Sequence, residues 1–139
     1  MACILVIEDN LTNLELMRTV IQGFGHVPIL ARDGVEGIEM AIRERPHLIL
    51  IDMLMPEMNG DEVLRRLKLN PDLHATPMVA VTALAMVGDR EKVMSAGFDG
   101  YISKPISPRK LMDEINGYLR PEIRSVAMSP GSQEAPKPT

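Results

Sequence analysis

Five polar residues stand where short apolar runs end. Glu8 and Asp9 follow the run 3–7, Asp52 closes 48–52, Thr82 closes 78–82 and Lys104 closes 101–104. A short continuous apolar run bounded by turn residues is the pattern of a strand buried on both faces of a parallel sheet. Open α/β sheets bind ligands outside the carboxyl ends of their strands. Three carboxylates brought to that edge repel one another and resist ionising. A divalent cation relieves the repulsion. Magnesium suits the set, because it takes hard oxygen ligands and keeps waters and phosphate oxygens around it. With the cation present, Asp52 can attack an incoming phosphoryl group, as carboxylate nucleophiles do in aspartyl-phosphate chemistry. Lys104 supplies a second cation against the charge of the transferring group, and Thr82 a hydroxyl for one of its oxygens.

Taken singly, each residue has a plainer role. An acid after a strand is often a solvated loop residue or a helix cap. Thr82 is then a strand terminus or N-cap, Lys104 a surface lysine and Tyr101 a half-exposed sheet residue. Asn10 and Asn13 suit capping and a polar helix face better than ligation. The methionines of 53–58 suit packing. The conjunction carries the chemistry, since all five residues end strands of one inferred sheet.

Segments of helical period lie between the runs. Asn10 is an N-cap for a helix with Leu14, Met17, Ile21 and Phe24 on one face, and Gly23 and Gly25 end it. The second strand is 27–31, where Pro28 marks an edge or a strand start. Asp33 and Glu36 have capping-box spacing. The helix behind them places Val35, Ile38, Ala41 and Ile42 on its inner side, with Arg43 and Arg45 in the last turn and Pro46 ending it. A third helix over 60–69 turns Val63, Leu64 and Leu67 inward and Arg65, Arg66 and Lys68 outward, and 70–72 is a turn. A fourth near 88–96 is closed by Gly97. Ser107 caps the last helix and Pro108 opens it, with Leu111, Ile115 and Leu119 inside. Strand and helix alternate five times, which predicts an α/β fold with a doubly wound, five-stranded parallel sheet. From Pro121 the apolar period is lost among Pro, Ser, Gly and Gln. One domain over 1–121 and a disordered tail over 122–139 follow.

Composition removes several classes of function. A chain of 139 residues with a formal charge of −4 and no long basic run is not built to bind nucleic acid directly. Two Phe and two Tyr offer little for base stacking. The histidines at 26, 47 and 74 have no zinc-ligand spacing. The single cysteine, Cys3, excludes an internal disulfide and suits a reducing compartment. No apolar stretch approaches the ~20 residues of a membrane span. Glu8 and Asp9 come too early for a signal peptide. A cytoplasmic chain with no membrane partner is expected.

With those residues in place, the chain resembles the receiver domain of two-component response regulators over roughly 3–119. The marks are Ile-Glu-Asp-Asn at 7–10, Ile-Asp-Met-Leu-Met-Pro-Glu-Met-Asn-Gly at 51–60, Val-Thr-Ala at 81–83 and Ser-Lys-Pro at 103–105. The Ala-Val-Thr-Ala and Tyr-Ile-Ser-Lys-Pro-Ile-Ser runs look like single-domain receivers of the DivK kind. The resemblance implies a flavodoxin-like (βα)5 fold with strand order 2-1-3-4-5. It implies that Asp52 is the phosphoacceptor, charged by a histidine kinase or a histidine phosphotransfer protein. Asp9, Asp52 and the backbone carbonyl of Leu54 match magnesium ligands, with Glu8 acting through water. Thr82 and Tyr101 match a switch pair, Lys104 a phosphate-binding lysine, and Lys104–Pro105 a peptide that is usually cis. A face made of the fourth helix, fifth strand and fifth helix would engage a downstream protein, and phosphorylation could also drive dimerisation.

Rival functions lack parts. A magnesium-dependent phosphatase of the haloacid dehalogenase type needs a second acid two residues after its nucleophile. That position is Leu54, and the nucleophile would stand on the first strand. A flavodoxin-like FMN carrier needs a Ser/Thr/Gly-rich phosphate loop after strand one, which residues 10–13 do not offer. An unphosphorylated docking module would not need all five residues. Leu54 and Leu84 are apolar and cannot orient an attacking water, so a long-lived phosphoaspartate is expected.

Overall fold

The computed structural model describes residues 2–83 and 88–119. Five parallel strands form one sheet: β1 (Cys3–Ile7), β2 (Val27–Ala31), β3 (Leu48–Asp52), β4 (Met78–Thr82) and β5 (Gly100–Ser103). Their spatial order is β2-β1-β3-β4-β5, the order that the resemblance implies. Five helices connect and cover them: α1 (Leu11–Gly23), α2 (Gly34–Glu44), α3 (Gly60–Lys68), α4 (Asp89–Ser95) and α5 (Pro108–Tyr118). A single 3-10 turn, Pro71–Leu73, precedes β4. Pro28 lies on β2, an edge strand, where a missing N–H breaks no second ladder.

Alternate residues of the inner strands feed two cores. Ile4, Val6, Leu48, Leu50, Val79 and Val81 pack with Leu14, Met17 and Ile21 of α1 and Leu111, Met112 and Ile115 of α5. Leu5, Ile7, Ile49, Ile51, Met78 and Ala80 pack with Ala41 of α2, Val63, Leu64 and Leu67 of α3 and Val93 of α4. Each fully buried Leu or Ile contributes about 1.5–3 kcal/mol. Both faces are therefore anchored, and the strand ends are held in fixed register.

One helix face differs from the pattern read in the sequence. Val35 and Ile42 of α2 are 55% and 48% exposed. The buried positions are Gly34, Gly37 and Ala41. A methyl group on Gly37 would collide with the side chain of Ile7, and one on Gly34 with Met58 and Val63. The helix lies too close to the sheet for larger residues at these glycines, so Val35 and Ile42 turn outward while Ile38 and Met40 pack half-buried against the core. Arg45 is the C-cap of α2 at a left-handed φ of 47° and not part of its last turn. Strand β5 begins at Gly100, one residue early, which leaves Lys104 just past its end.

The start of β1 is held by two histidines. The Ala2 N–H donates to Nδ1 of His26 and the Cys3 N–H to Nδ1 of His47, each at 2.9 Å. Among the described residues no helix is long and apolar enough to cross a membrane. Leu84 and the tail expected over 122–139 lie outside the described residues.

Candidate functional site

Strand pairing brings the polar ends together. Ile7 is level with Ile51, Asp52 with Val81, and Thr82 with Ser103. The residues that follow these positions therefore share one edge of the sheet. The Lys104 N–H donates to the Thr82 carbonyl at 2.8 Å, which fixes the chain as it leaves β5. The Lys104–Pro105 peptide is cis.

Glu8, Asp9 and Asp52 each place a carboxylate oxygen within 4.8 Å of the other two. Glu8 and Asp52 are buried, while Asp9 is exposed. The Glu8 Oε2 accepts the Asn10 N–H at 3.2 Å. Its Oε1 makes no hydrogen bond, although Lys104 Nζ lies 3.2 Å away at ion-pair distance. Lys104 Nζ also donates to Asp52 Oδ1 at 3.4 Å, and the Leu54 N–H donates to the same oxygen at 3.2 Å. Burial raises the Asp52 pKa to about 6, and the adjoining Glu8 carboxyl adds to the shift. The Leu54 N–H and the Lys104 charge only partly oppose it.

The turn after β3 is shaped for this site. Gly60 opens α3 so close to the strand that a Cβ there would stand 2.8 Å from the Asp52 carbonyl oxygen and 2.9 Å from Met53 Cα. Its N–H donates to the Met53 carbonyl at 3.0 Å. Asn59 caps α3 through the Glu62 N–H. Leu54 lies between, 60% exposed beside Asp52. Thr82 is buried, and Tyr101 is half-buried against the core under α3 and α4. The close approach of Gly60 was not read in the sequence, though an Asn-Gly pair after a strand-and-turn is its only signal. The approach of Lys104 to the buried Glu8 oxygen and the two histidine contacts left no signal.

A parallel sheet of this order, with three carboxylates and a lysine at its carboxyl edge, defines a domain class, and comparison supplies the family. Residues 4–116 match the response regulator receiver domain, and the chain belongs to that family of two-component signalling domains. It is 41% identical over 116 residues to the polar-differentiation response regulator DivK of Brucella anthropi, covering 84% of this chain and 94% of that protein. The DivK of Brucella ovis is 40% identical over the same length and shares. A receiver domain of a Pseudomonas aeruginosa sensor histidine kinase, described with magnesium coordinated in its active-site cleft, is 29% identical. It superposes with a TM-score of 0.78 over 84% of this chain and 96% of its own. The chemotaxis protein CheY4 of Vibrio cholerae shares the fold, with a TM-score of 0.81 at 24% identity, covering 86% of this chain and 99% of that one.

Proposed function

We propose that Asp52 accepts a phosphoryl group from the phosphohistidine of a kinase or phosphotransfer protein, and that the phosphorylated chain binds a downstream protein. The observation that carries this reading is the placement of Glu8, Asp9 and Asp52 oxygens within 4.8 Å of one another. The donor set fits magnesium: all hard oxygens, one of them the buried, hydrogen-bond-free Oε1 of Glu8. Asp9 and Asp52, with the carbonyl of Leu54, would hold the ion, and Glu8 would act through a water. When bound, magnesium neutralises carboxylate and phosphate charge.

The chain's own groups do the rest. A carboxylate oxygen of Asp52 attacks phosphorus while the phosphorus–nitrogen bond to the donor histidine breaks. The imidazole keeps the electron pair, and an acyl phosphate is left on Asp52. Lys104 neutralises charge on the transferred group. The Thr82 hydroxyl donates to a phosphoryl oxygen, and Tyr101 turns inward with it, altering the face of α4, β5 and α5. The domain works as a phosphoacceptor and not as a turnover enzyme, because the position two after Asp52 holds no acid. Signalling by this route belongs in the cytoplasm, and a phosphorylated dimer is one form the output can take.

The test is incubation with magnesium and acetyl phosphate, followed by intact-mass measurement. One acid-stable, base-labile phosphoryl group is expected, and none on Asp52→Asn. Uptake at another residue, or steady turnover of phosphate esters, overturns the reading.

A further inference from the structure

The last residue of α5 closes over the start of β5. Tyr118 lays its phenol on Gly100, so that a methyl group built on the Gly100 Cα would collide with the ring and the hydroxyl. Gly100 is not among the positive-φ residues. Its lack of a side chain answers the ring above it and not the backbone. The Tyr118 hydroxyl is in hydrogen-bonding contact with the backbone of Tyr101. Burial and the nearby Glu114 raise its pKa, and the charges of Arg90 on α4 and Asp99 before β5 also act on it. One phenol of α5 therefore meets β5 at both Gly100 and Tyr101. Strand β5 is an edge strand, with a ladder on one side only.

We infer that Tyr118 is a positioning residue that ties the last turn of α5 to β5 at Tyr101, so that displacement of Tyr101 in the phosphorylated state is carried into α5. This rests on the proposed switch role of Tyr101 and adds the contact through which it reaches a second element. No side chain on Gly100 separates ring from strand, and close-packed groups move together. The hydroxyl adds direction to that contact, because its bond is to the backbone of the residue that moves. Strand β5 is free to shift on its open side without breaking a second ladder.

Hydrogen exchange by mass spectrometry on the full chain, with and without magnesium and beryllofluoride, tests the link. In the native sequence, exchange should change in peptides covering both 98–104 and 108–119. In Tyr118→Phe, which keeps the ring and removes the hydroxyl, the β5 change should persist and the α5 change should fall at least about fivefold when normalised to β1. Phosphoryl uptake should stay within about twofold. An α5 response retained in full by Tyr118→Phe overturns the link and leaves the phosphoacceptor reading intact. A native chain that takes up neither beryllofluoride nor phosphoryl overturns both. A measurement without a variant uses the chain's two tyrosines, Tyr101 and Tyr118. With 3-fluorotyrosine, both resonances should shift along one beryllofluoride titration curve. A Tyr118 signal that stays fixed while Tyr101 moves overturns the coupling.

Discussion

Lys104 holds its Nζ 3.4 Å from Oδ1 of Asp52, a residue 52 positions away, and is the cation paired with that buried carboxylate. The same ammonium stands 3.2 Å from Glu8 Oε1. One positive charge thus serves two buried negative ones. At ~4 Å and an effective dielectric of about 20, each such pair is worth roughly 4 kcal/mol before desolvation. Desolvation and the second carboxylate win, because the Asp52 pKa rises to about 6.

Asp52→Asn should therefore stabilise the metal-free fold while abolishing phosphoryl uptake. A carboxyl whose pKa is raised on folding favours the folded state when protonated. Its contribution is present below the unfolded value and lost as pH rises to about 6. At pH 7.5 the ionised group costs up to about 3 kcal/mol by the size of the shift, and about 1–2 once water penetration is allowed for. Thermal unfolding in chelator should show the variant melting several degrees higher. An equal or lower midpoint would refute the charge imbalance.

Magnesium affinity should fall in acid. The metal must displace the proton from Asp52, whose pKa is about 6. Between pH 7 and pH 5 the dissociation constant should rise about tenfold, steepening toward one decade per pH unit below pH 6. Calorimetric titration at fixed ionic strength reads this directly. A constant affinity over that range would show that the metal does not use the Asp52 carboxylate.

His26, at the far end of β1, gives a pH effect of opposite sign. Its Nδ1 accepts the Ala2 N–H, which a protonated imidazole cannot do. Burial lowers the His26 pKa, with the amino terminus and His47 adding to it. The stability it contributes is present above the unfolded value of about 6.5 and is lost as pH falls through the folded one. Measured on the Asp52→Asn background, which removes the carboxyl's opposing slope, the unfolding midpoint should drop between pH 7 and pH 5. His26→Gln, whose amide oxygen accepts without titrating, should flatten the drop. An unchanged slope in that variant would assign the acid sensitivity elsewhere.

The strands and the five polar residues at their ends were legible in the sequence, because parallel strands buried on both faces carry unbroken apolar runs and a charge can only end them. The spacing of Leu14, Met17 and Ile21 likewise gave the buried face of α1. On α2 the same reasoning held for Ile38 and Ala41 and failed for Val35 and Ile42. Val35 and Ile42 had the right period, but the contact of Gly37 with Ile7 sets how near that helix sits. Glycine has no side chain to mark an apolar face, so a helix that packs by its glycines hides its inner line. The histidine contacts were hidden for another reason. They join residues 24 and 44 positions apart to a strand's first N–H groups, and only tertiary structure creates those pairs.

Gly37→Ala should destabilise the fold without touching the acidic cluster. The added methyl meets three atoms of Ile7 and has no free direction, since helix and strand are both anchored by core residues. Overpacking of this kind costs about 1–3 kcal/mol. Urea unfolding should show a lower midpoint with an unchanged slope, and phosphoryl uptake in native conditions should remain. A midpoint within error of the native chain would mean that α2 moves away freely.

Leu54 should set a slow loss of the phosphoryl group. Its side chain is 60% exposed beside Asp52, and its N–H donates to Asp52 Oδ1. The backbone is thus tied to the carboxylate while the side chain is open to solvent. An isobutyl group can neither accept a proton from an attacking water nor hold it in line with the bond to be broken, so hydrolysis lacks the help that a placed base gives, typically ~10²–10⁴-fold. Leu54→Gln keeps the bulk and adds an amide that can orient a water. Decay of the base-labile label at pH 7 should take well over a few seconds in the native chain and quicken about tenfold or less in the variant, since an amide positions without abstracting. The magnesium dissociation constant should not change. Decay within seconds in the native chain, or a variant no faster than it, would show that access at Leu54 does not govern the lifetime.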